Sequence, residues 1–319
     1  MEINNTELLN TIDNTEILSD INKKTKIKKS KGDRVFFILN YAFLVFVFLI
    51  VTYPLIYILS ASVSQARAVA GGQVFLFPVG FTLDGYAAVF RHPLIMSGYA
   101  NSFINMVIGT SLNVVLTMIA AYPLSRKDFY GRNTIMMLFT ITMFISGGLI
   151  PTFMLVNNLG MMNTRWALII PTALSVWNVI LTRTFLQANI PDELLEASKM
   201  DGCGDITFLI KVVVPLSTPI IAVITLFYAI GHWNLFFPAL IYLTDASLFP
   251  LQLVLRDILI QNQLPAGVIM DPILQQQMDN IRELLRFSLI VVASAPMLIM
   301  FPFVQRFFVK GIMIGAIKG

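Results

Sequence analysis

The stretch PDELLEASKMDGCGD, residues 191–205, is an acidic, glycine-broken polar segment between two long apolar runs. Pro191 suits the first position of a helix because its missing N–H would have no partner there, and Asn189 just before it can help to cap the helix. Asp192 and Glu193 then fall in the first turn, where the helix dipole favours negative charge. The stretch is therefore predicted to open with a short helix.

The second part of this stretch predicts a turn and another helix. The first helix should end near Met200, because Asp201 and Gly202 form a turn signature. Asp205 can cap a second helix that begins with ITFLIKVVV. The segment is therefore predicted to be a helix, a turn and a helix that leads into the next apolar run.

The composition is that of an integral membrane protein. Apolar residues make up 56% of the 319 residues and charged residues only 13%, against about 25% in a typical soluble domain. Apolar runs of about 20 residues are long enough to cross a bilayer as helices. The sequence predicts an all-α membrane domain over residues 35–319, with six transmembrane helices at 35–59, 103–124, 134–156, 166–186, 216–237 and 285–304.

The basic residues indicate how the chain is oriented in the membrane. When the loops are placed on alternating sides of the six spans, sixteen of the 22 Lys and Arg fall on one side. Positive charge collects on the cytoplasmic side, so both termini and residues 191–205 are predicted to be cytoplasmic. This placement explains the net charge of +4 without nucleic acid as a partner. Residues 1–34 are predicted to be a basic, largely disordered cytoplasmic tail.

Two long connections, residues 60–102 and 238–284, fall on the outer side and are large enough to form a docking surface. Glycine and proline punctuate both of them. In the second connection, the run LFPLQLVLRDILIQ at residues 248–261 has apolar positions at roughly helical spacing. This spacing predicts a short interfacial or packed helix.

The predicted helix of residues 191–205 carries apolar side chains that need a cover. Leu194, Leu195 and Ala197 are apolar, while Glu193 and Glu196 share one face because they are three residues apart. The cover is either the ends of this protein's own spans, the lipid surface, or a partner protein. The residues alone leave these alternatives open.

The motifs of several enzyme classes are absent from the sequence. There is no GxxxxGK[ST] loop for nucleotide phosphates, no HExxH motif and no GxSxG turn. The single cysteine, Cys203, and two distant histidines do not form the spacing of a metal site. We expect no catalytic residue, no metal and no cofactor bound by this chain.

Uncharged polar side chains lie within or beside the apolar runs, whereas proton-driven carriers usually place carboxylates or histidines there. Amide, hydroxyl and aromatic groups suit a sugar, which offers hydroxyls and apolar ring faces. Hydrogen bonding between helices is the alternative role for each of them. His232 is interpreted as an interfacial residue at the headgroup boundary. The candidate substrate path consists of Asn105, Asn113, Asn178, Tyr228, Trp233 and Asn234.

The sequence EASKMDGCGDITFLIKVVVPLSTP, residues 196–219, resembles the EAA loop of permease subunits in ABC importers. Ser198 stands where the motif's name has its second alanine, which exchanges one small residue for another. The segments ANS at 100–102, AYPLSR at 121–126 and HWN at 232–234 are similar to the sugar permeases of maltose-transporter type. The ending FVKGIMIGAIKG, residues 308–319, resembles an oligosaccharide and polysaccharide-fragment subgroup from Gram-positive bacteria.

This resemblance implies one half of a heterodimeric pore in the bacterial cytoplasmic membrane, completed by a second, different permease. It further implies a homodimeric cytoplasmic ATPase that holds ATP and Mg, an extracytoplasmic sugar-binding lipoprotein, and an oligosaccharide as substrate. The helix in the loop would couple to the ATPase. An ATPase-independent secondary carrier or channel and a membrane sensor subunit are the alternatives. The residues to which the resemblance assigns coupling are Glu193, Leu194, Glu196, Ala197, Ser198, Asp201 and Gly202.

Overall fold

A computed structural model describes residues 30–261 and 285–302. The predicted tail therefore lies outside the described residues apart from residues 30–34, and so does much of the second outer connection. The C-terminal motif of residues 308–319 lies outside them as well. The chain divides into two compact units, residues Met1–Leu55 and Ile56–Gly319.

The first unit contains most of helix α1, Lys31–Ser62, which covers the predicted first span. Asp33 lies in the first turn of α1, and its carboxylate accepts a hydrogen bond of 3.0 Å from the backbone N–H of Ser30. This contact pairs a backbone donor at the start of the helix that would otherwise lack a partner inside it. The helix runs on through Pro54, so this proline does not end it.

The regular secondary structure of the second unit is helical in the part that the structure describes, apart from an isolated β-bridge between Ser64 and Phe81. Its helices come in chain order and include one π-helical segment and two short 3₁₀ turns. The elements are α2 (Ala66–Ala70), α3 (Asp84–Arg91), α4 (Pro93–Ser125), α5 (Arg132–Phe144), α6 (Leu149–Asn158), α7 (Trp166–Ile169) with a 3₁₀ turn (Ile170–Thr172), α8 (Val176–Asn189), α9 (Asp192–Met200), α10 (Asp205–Phe208) continued by a π-helix (Leu209–Val213) and a last turn (Val214–Leu216), α11 (Thr218–Trp233), α12 (Phe237–Tyr242), a 3₁₀ turn (Ala246–Leu248), α13 (Leu251–Gln261) and α14 (Leu285–Pro302).

Three described helices are long and apolar enough to cross a membrane, namely α1, α4 and α14. Three bent pairs of helices raise the number of spans to as many as six when each pair counts as one. The bends are 111° between α5 and α6, 50° between Trp166–Thr172 and α8, and 82° between Asp205–Leu216 and α11. The predicted spans 134–156 and 166–186 are therefore broken rather than straight helices.

Local chemistry explains two of these breaks. Between α5 and α6, Gly148 has a φ of +87°, a backbone region that interrupts a right-handed helix and that L side chains rarely adopt. Between Asp205–Leu216 and α11, Pro219 lies two residues after Ser217. Proline has no N–H with which to continue the helical hydrogen bonds. Helix α11 then ends at Trp233, before the predicted limit of 237, with Asn234 at its C-cap.

Helix α4 lies at the centre of the second unit and packs against α8, α11 and α13. Gly98 allows α13 to come close, because a Cβ atom there would lie 3.1 Å from Val254 Cγ2 and 3.2 Å from Leu251 Cα. Asn101 Nδ2 donates to the carbonyls of Ser247 and Phe249 at 2.7 and 3.0 Å, so the ANS segment holds the turn before α13. The helix predicted within residues 248–261 is thus present and packed on α4.

Candidate functional site

Helix α9, called the loop helix below, occupies Asp192–Met200, with the predicted end at Met200 and with Asp192 and Glu193 in its first turn. Pro191 lies one residue earlier than predicted, at the N-cap, with an extended backbone. Asn189 does not cap the loop helix. It ends α8, and its Nδ2 donates to the Phe185 carbonyl at 2.9 Å, because the helix before Pro191 runs on further than expected.

The loop helix ends in a Schellman motif. The Gly202 N–H donates to the Lys199 carbonyl at 3.0 Å, and the Cys203 N–H donates to the Ser198 carbonyl at 2.9 Å. Gly202 adopts a φ of +75°, which the motif requires and glycine permits at low cost. The predicted turn at Asp201 and Gly202 is therefore present, and it fixes the angle at which the next helix begins.

The inner face of the loop helix packs on this protein's own helices. Leu195 is only 8% exposed and belongs to a core cluster with Tyr122, Leu186, Phe208 and Val213. The chain itself thus covers Leu195, one of the three apolar residues whose cover was open. The packing joins the loop helix to α4, α8 and the helical segment that follows it.

Ion pairs hold both ends of the loop helix. Lys127 Nζ lies 2.6 Å from Asp192 Oδ2 at its first turn, and Lys199 Nζ in its last turn lies 3.4 Å from Asp128 Oδ2. Both partners come from the connection between α4 and α5. These pairs are exposed, so they orient the helix more than they stabilise the fold.

Arg126 forms hydrogen bonds that stabilise the connection between α4 and α5. Its guanidinium donates to both Asp128 carboxylate oxygens, at 3.0 and 2.7 Å, and to the Tyr122 hydroxyl at 2.9 Å. The hydrogen bond from Arg126 holds the pKa of Asp128 below its ordinary value. The hydrogen bond to Asp192 raises the pKa of Lys127. The AYPLSR segment therefore supplies a rigid support for the loop helix, a role that sequence reasoning did not assign.

The outer face of the loop helix is uncovered in the described chain. Leu194 is 39% exposed and Met200 is 89% exposed, and Glu193, Glu196 and Ala197 are exposed beside them. We call these five residues the docking face. Among the other predicted coupling residues, Asp201 and Gly202 are exposed, whereas Ser198 is half-buried and its hydroxyl donates to the Leu194 carbonyl at 2.8 Å.

A cavity of about 660 Å³ lies between α4, α8 and α11 and contains four of the six predicted path residues, Asn113, Asn178, Tyr228 and Asn234. We call it the polar–aromatic cavity. Aromatic side chains share its wall, and sequence reasoning did not single them out. They are Trp177, Phe227, Phe236 and Phe237.

Hydrogen bonds fix the polar groups of this cavity. Tyr228 Oη lies 2.7 Å from Thr117 Oγ1 and accepts a 3.1 Å hydrogen bond from the Ser175 N–H. Asn113 Nδ2 donates to the Thr172 carbonyl at 3.0 Å. The cavity wall is thus held by bonds between three helical segments, which is the structural role that the sequence left open for these residues.

The other two predicted path residues lie elsewhere. Asn105 Oδ1 accepts from Arg165 Nη1 at 3.4 Å, in a network where Arg165 Nη2 also donates to Asn101 Oδ1 at 2.6 Å. Trp233 is 1% exposed, and its Nε1 donates to the Ala293 carbonyl at 3.0 Å. Trp233 borders a different cavity, of about 780 Å³, that Asn234 also lines. The structure therefore separates both residues from the polar–aromatic cavity.

His232 is not an interfacial side chain, because it is only 3% exposed. It lies against Gly109 of α4 and lines the polar–aromatic cavity. Its position next to Trp233 in sequence suggested the membrane boundary. The side chain is buried instead because Gly109 on α4 lets it come close. No local sequence pattern predicts this contact between distant residues.

The described part of the chain contains no cluster of three His, Cys, Asp or Glu side chains that could hold a metal ion. The polar groups of the site are amides, hydroxyls and an imidazole around a cavity between membrane helices. The described helices and their candidate spans define an all-α, multi-pass membrane protein.

Comparison with known proteins identifies the family. The family model described as binding-protein-dependent transport system inner membrane component matches residues 113–314. The chain belongs to this family. It is a permease subunit of an ABC importer in the cytoplasmic membrane and a transport component rather than an enzyme.

Two relatives from Bacillus subtilis (strain 168) are similar over nearly the whole chain. The polygalacturonan/rhamnogalacturonan transport system permease protein YtcP is 39% identical over 287 residues, which cover 90% of this chain and 99% of that protein. Protein LplC is 39% identical over 292 residues, which cover 91% and 97% of the two chains.

A solved structure is also similar. It is described as the crystal structure of a bacterial ABC transporter involved in the import of the acidic polysaccharide alginate. The match has a TM-score of 0.79 and 32% identity, and it covers 88% of this chain and 99% of that chain. The resemblance to ABC importer permeases inferred from the EAA-like loop is confirmed.

Proposed function

We propose that this chain forms one half of a heterodimeric translocation pore that imports oligosaccharides, driven by ATP hydrolysis on a separate cytoplasmic ATPase. A second, different permease completes the pore, and a sugar-binding lipoprotein delivers substrate from outside. ATP and Mg belong to the homodimeric ATPase. Both termini and the loop helix face the cytoplasm.

The docking face carries this proposal. The loop helix is fixed on one side by buried Leu195 and at both ends by ion pairs, while its opposite face presents Leu194, Ala197 and Met200 to solvent. A rigid helix with exposed apolar and small residues, flanked by Glu193 and Glu196, suits a groove with basic groups on a partner protein.

The connection from the loop helix to the pore supports a lever mechanism. The loop helix is joined through the Gly202 turn to Asp205–Leu216, which meets α11 at a bend of 82°. Phe208 and Val213 pack in the same cluster as Leu195. Closure of the ATPase dimer would therefore move the loop helix and α11 as one body, and a loaded binding protein outside would favour that closure in return.

The polar–aromatic cavity and the relatives support a carbohydrate substrate. Amides and hydroxyls bind sugar hydroxyls, and aromatic faces pack on the apolar faces of sugar rings. The relatives' names mention polygalacturonan, rhamnogalacturonan and alginate, all of them polysaccharides. The polar and aromatic groups on this chain include those of Asn113, Asn178, Tyr228 and Trp177.

The test is charge reversal on the docking face. Glu196→Lys should abolish co-purification of the ATPase from detergent and reduce ATP-dependent oligosaccharide uptake at least tenfold. The control is Asp84→Lys, the same type of change at an exposed residue in the first turn of α3. It should leave ATPase capture unchanged. Normal uptake and normal ATPase capture by Glu196→Lys would overturn the coupling role.

The secondary carrier, the channel and the sensor subunit have no supporting observation beside the family assignment. A direct experiment separates them from the importer. Vesicles that contain both permeases should take up sugar only when the ATPase and ATP are added. Uptake driven by a proton or sodium gradient alone would favour a secondary carrier instead.

A further inference from the structure

His232 is a buried polar side chain that has no hydrogen-bond partner in the part of the chain that the structure describes. It is 3% exposed, and neither Nδ1 nor Nε2 has a hydrogen-bond partner among the described residues. Buried polar atoms are nearly always hydrogen-bonded in folded proteins, because a polar group that loses its hydrogen bonds to water and gains no new partner is costly to bury. The unpaired imidazole lines the polar–aromatic cavity.

Asn113 supplies a second group of this kind in the same cavity. Its Nδ2 is paired with the Thr172 carbonyl, but its Oδ1 is buried and has no partner among the described residues. The side chain is held in place by one bond and keeps a free acceptor. A fixed amide oxygen and an imidazole, which offers one N–H donor and one acceptor when neutral, together match the hydroxyl groups of a sugar.

Gly109 makes room for the imidazole. A Cβ atom on Gly109 would lie 2.4 Å from both Cε1 and Nε2 of His232, a distance that real Cβ atoms do not tolerate. Gly109 is one helical turn before Asn113 on α4, so both residues are on the same face. The face of α4 that presents the free amide oxygen thus also seats the unpaired histidine.

The walls of the cavity indicate the kind of sugar. Trp177, Phe227 and Phe237 are exposed large aromatic residues at this cavity. None of the described residues that line it is Asp, Glu, Lys or Arg. A carboxylate transferred into such a site would lose its hydration without a cationic partner, which is strongly unfavourable. An uncharged ring with apolar faces fits the wall.

We propose that His232 and Asn113 form a subsite that binds the hydroxyl groups of an uncharged sugar unit during transport, with Trp177 as its stacking surface. This inference rests on the proposed import function and adds a specificity-determining residue to it. The substrate contains at least one neutral unit, and that unit passes through this cavity.

The experiment uses the complete transporter in proteoliposomes, with both permeases, the ATPase and the lipoprotein. Uptake is measured by mass spectrometry from an equimolar mixture of neutral galacto- and rhamno-oligosaccharides, mixed galacturonate–rhamnose oligosaccharides, and trigalacturonate. His232→Leu should reduce uptake of sugars with neutral units at least tenfold, whereas His232→Gln, which restores a donor and an acceptor, should stay within about threefold of the wild type. ATP hydrolysis stimulated by the loaded lipoprotein should persist in both variants.

Two further variants guard against a folding defect. Gly109→Ala should mimic His232→Leu, because its methyl group displaces the imidazole. Gly147→Ala should behave as the wild type, since its Cβ would meet only Pro151 Cβ at 3.9 Å. Each variant is first checked for membrane insertion and for a single peak in gel filtration.

Three outcomes decide the matter. Loss of uptake in His232→Leu and Gly109→Ala, with rescue by His232→Gln, supports the subsite. Wild-type uptake by His232→Leu, or a wild type that takes up trigalacturonate alone, overturns the subsite but leaves the import function standing. A wild type that takes up no sugar and shows no stimulated ATP hydrolysis overturns the import function, and the subsite with it.

Discussion

Lys127 Nζ lies 2.6 Å from Asp192 Oδ2, so the connection between α4 and α5 is tied to the first turn of the loop helix. Together with the pair between Asp128 and Lys199 at the other end, this contact fixes a helix that is covered on one face only. A helix that transmits force needs such fixation, because a freely hinged helix would move without moving the helices behind it.

The first prediction concerns this pair. Lys127→Glu should place two carboxylates side by side, loosen the start of the loop helix and reduce lipoprotein-stimulated ATP hydrolysis about threefold to tenfold. The thermal midpoint should change little, because exposed ion pairs contribute little to stability. The charge-swapped double variant Lys127→Glu with Asp192→Lys should restore stimulation. Equal loss in the single and double variants would contradict an orienting role for the pair.

The second prediction concerns pH. Asp128 has a lowered pKa because Arg126 donates to its carboxylate, so its contribution is present above its unfolded pKa, ordinarily 3.8, and is lost as pH falls through the lower folded value. Lys127 has a raised pKa because it bonds Asp192, so its contribution is present below 10.5 and is lost only as pH rises above it. Hydrogen exchange of the loop helix, corrected for intrinsic rates, should be constant between about pH 5 and 10. A transition near pH 7 would contradict this assignment.

The third prediction concerns the turn after the loop helix. Gly202 has a φ of +75°, which proline cannot adopt and which alanine adopts at a cost of about 1 kcal/mol. Gly202→Pro should abolish transport without reducing membrane insertion, and Gly202→Ala should impair it in part. Gly202→Asn should be the mildest, because asparagine tolerates this region. Uptake assays with protein-level controls should give this order, and full activity of the proline variant would exclude a lever through this turn.

The fourth prediction separates two tryptophans. Trp233 is a core residue, so Trp233→Ala should destabilise the fold by about 3–5 kcal/mol, as expected for a buried tryptophan, whereas Trp233→Phe should keep the substrate preference of the wild type. Trp177→Ala should leave the thermal midpoint nearly unchanged, because its side chain is exposed, and should raise the KM for uptake. A changed preference in Trp233→Phe would return this residue to the substrate path.

The fifth prediction concerns the network around Arg165. Its guanidinium bonds Asn101, which in turn holds the Ser247 and Phe249 carbonyls. Asn101→Ala should remove a charge-assisted bond and leave two carbonyls short of a donor, for a loss of about 2–3 kcal/mol. Thermal unfolding and protease sensitivity of the outer connection should report it. An unchanged midpoint would show that the network is dispensable.

The sequence was enough to predict the loop helix, because its signals are local. Acidic residues in the first turn, the glycine at the turn and the apolar inner positions act within a few residues of each other. The predicted end near Met200 and the predicted turn at Gly202 therefore agree with the structure, and the helix begins at Asp192, one residue after the predicted start. The predicted cap at Asn189 was wrong, because the preceding helix runs to Asn189 itself, further than the sequence indicated.

The residues predicted to form the substrate path lie in separate places in the structure, and the reason is physical. Asn113 and Tyr228 line the polar–aromatic cavity, whereas Asn105 bonds Arg165, and all three are polar residues within predicted spans. Which face of a span meets a cavity depends on how helices cross, and that depends on distant small residues such as Gly98 and Gly109. Composition within a span carries no record of which neighbouring helix or cavity each residue meets.

By itself, then, the sequence determined a polytopic helical membrane protein with a polar helix–turn–helix between two of its spans, because hydropathy, turn chemistry and charge placement are local or additive properties. Only the tertiary structure decided which side of that helix stays uncovered and that His232 faces a cavity rather than the membrane surface. Those features arise from contacts between residues far apart in the chain, such as Gly109 and His232, and packing alone brings them together.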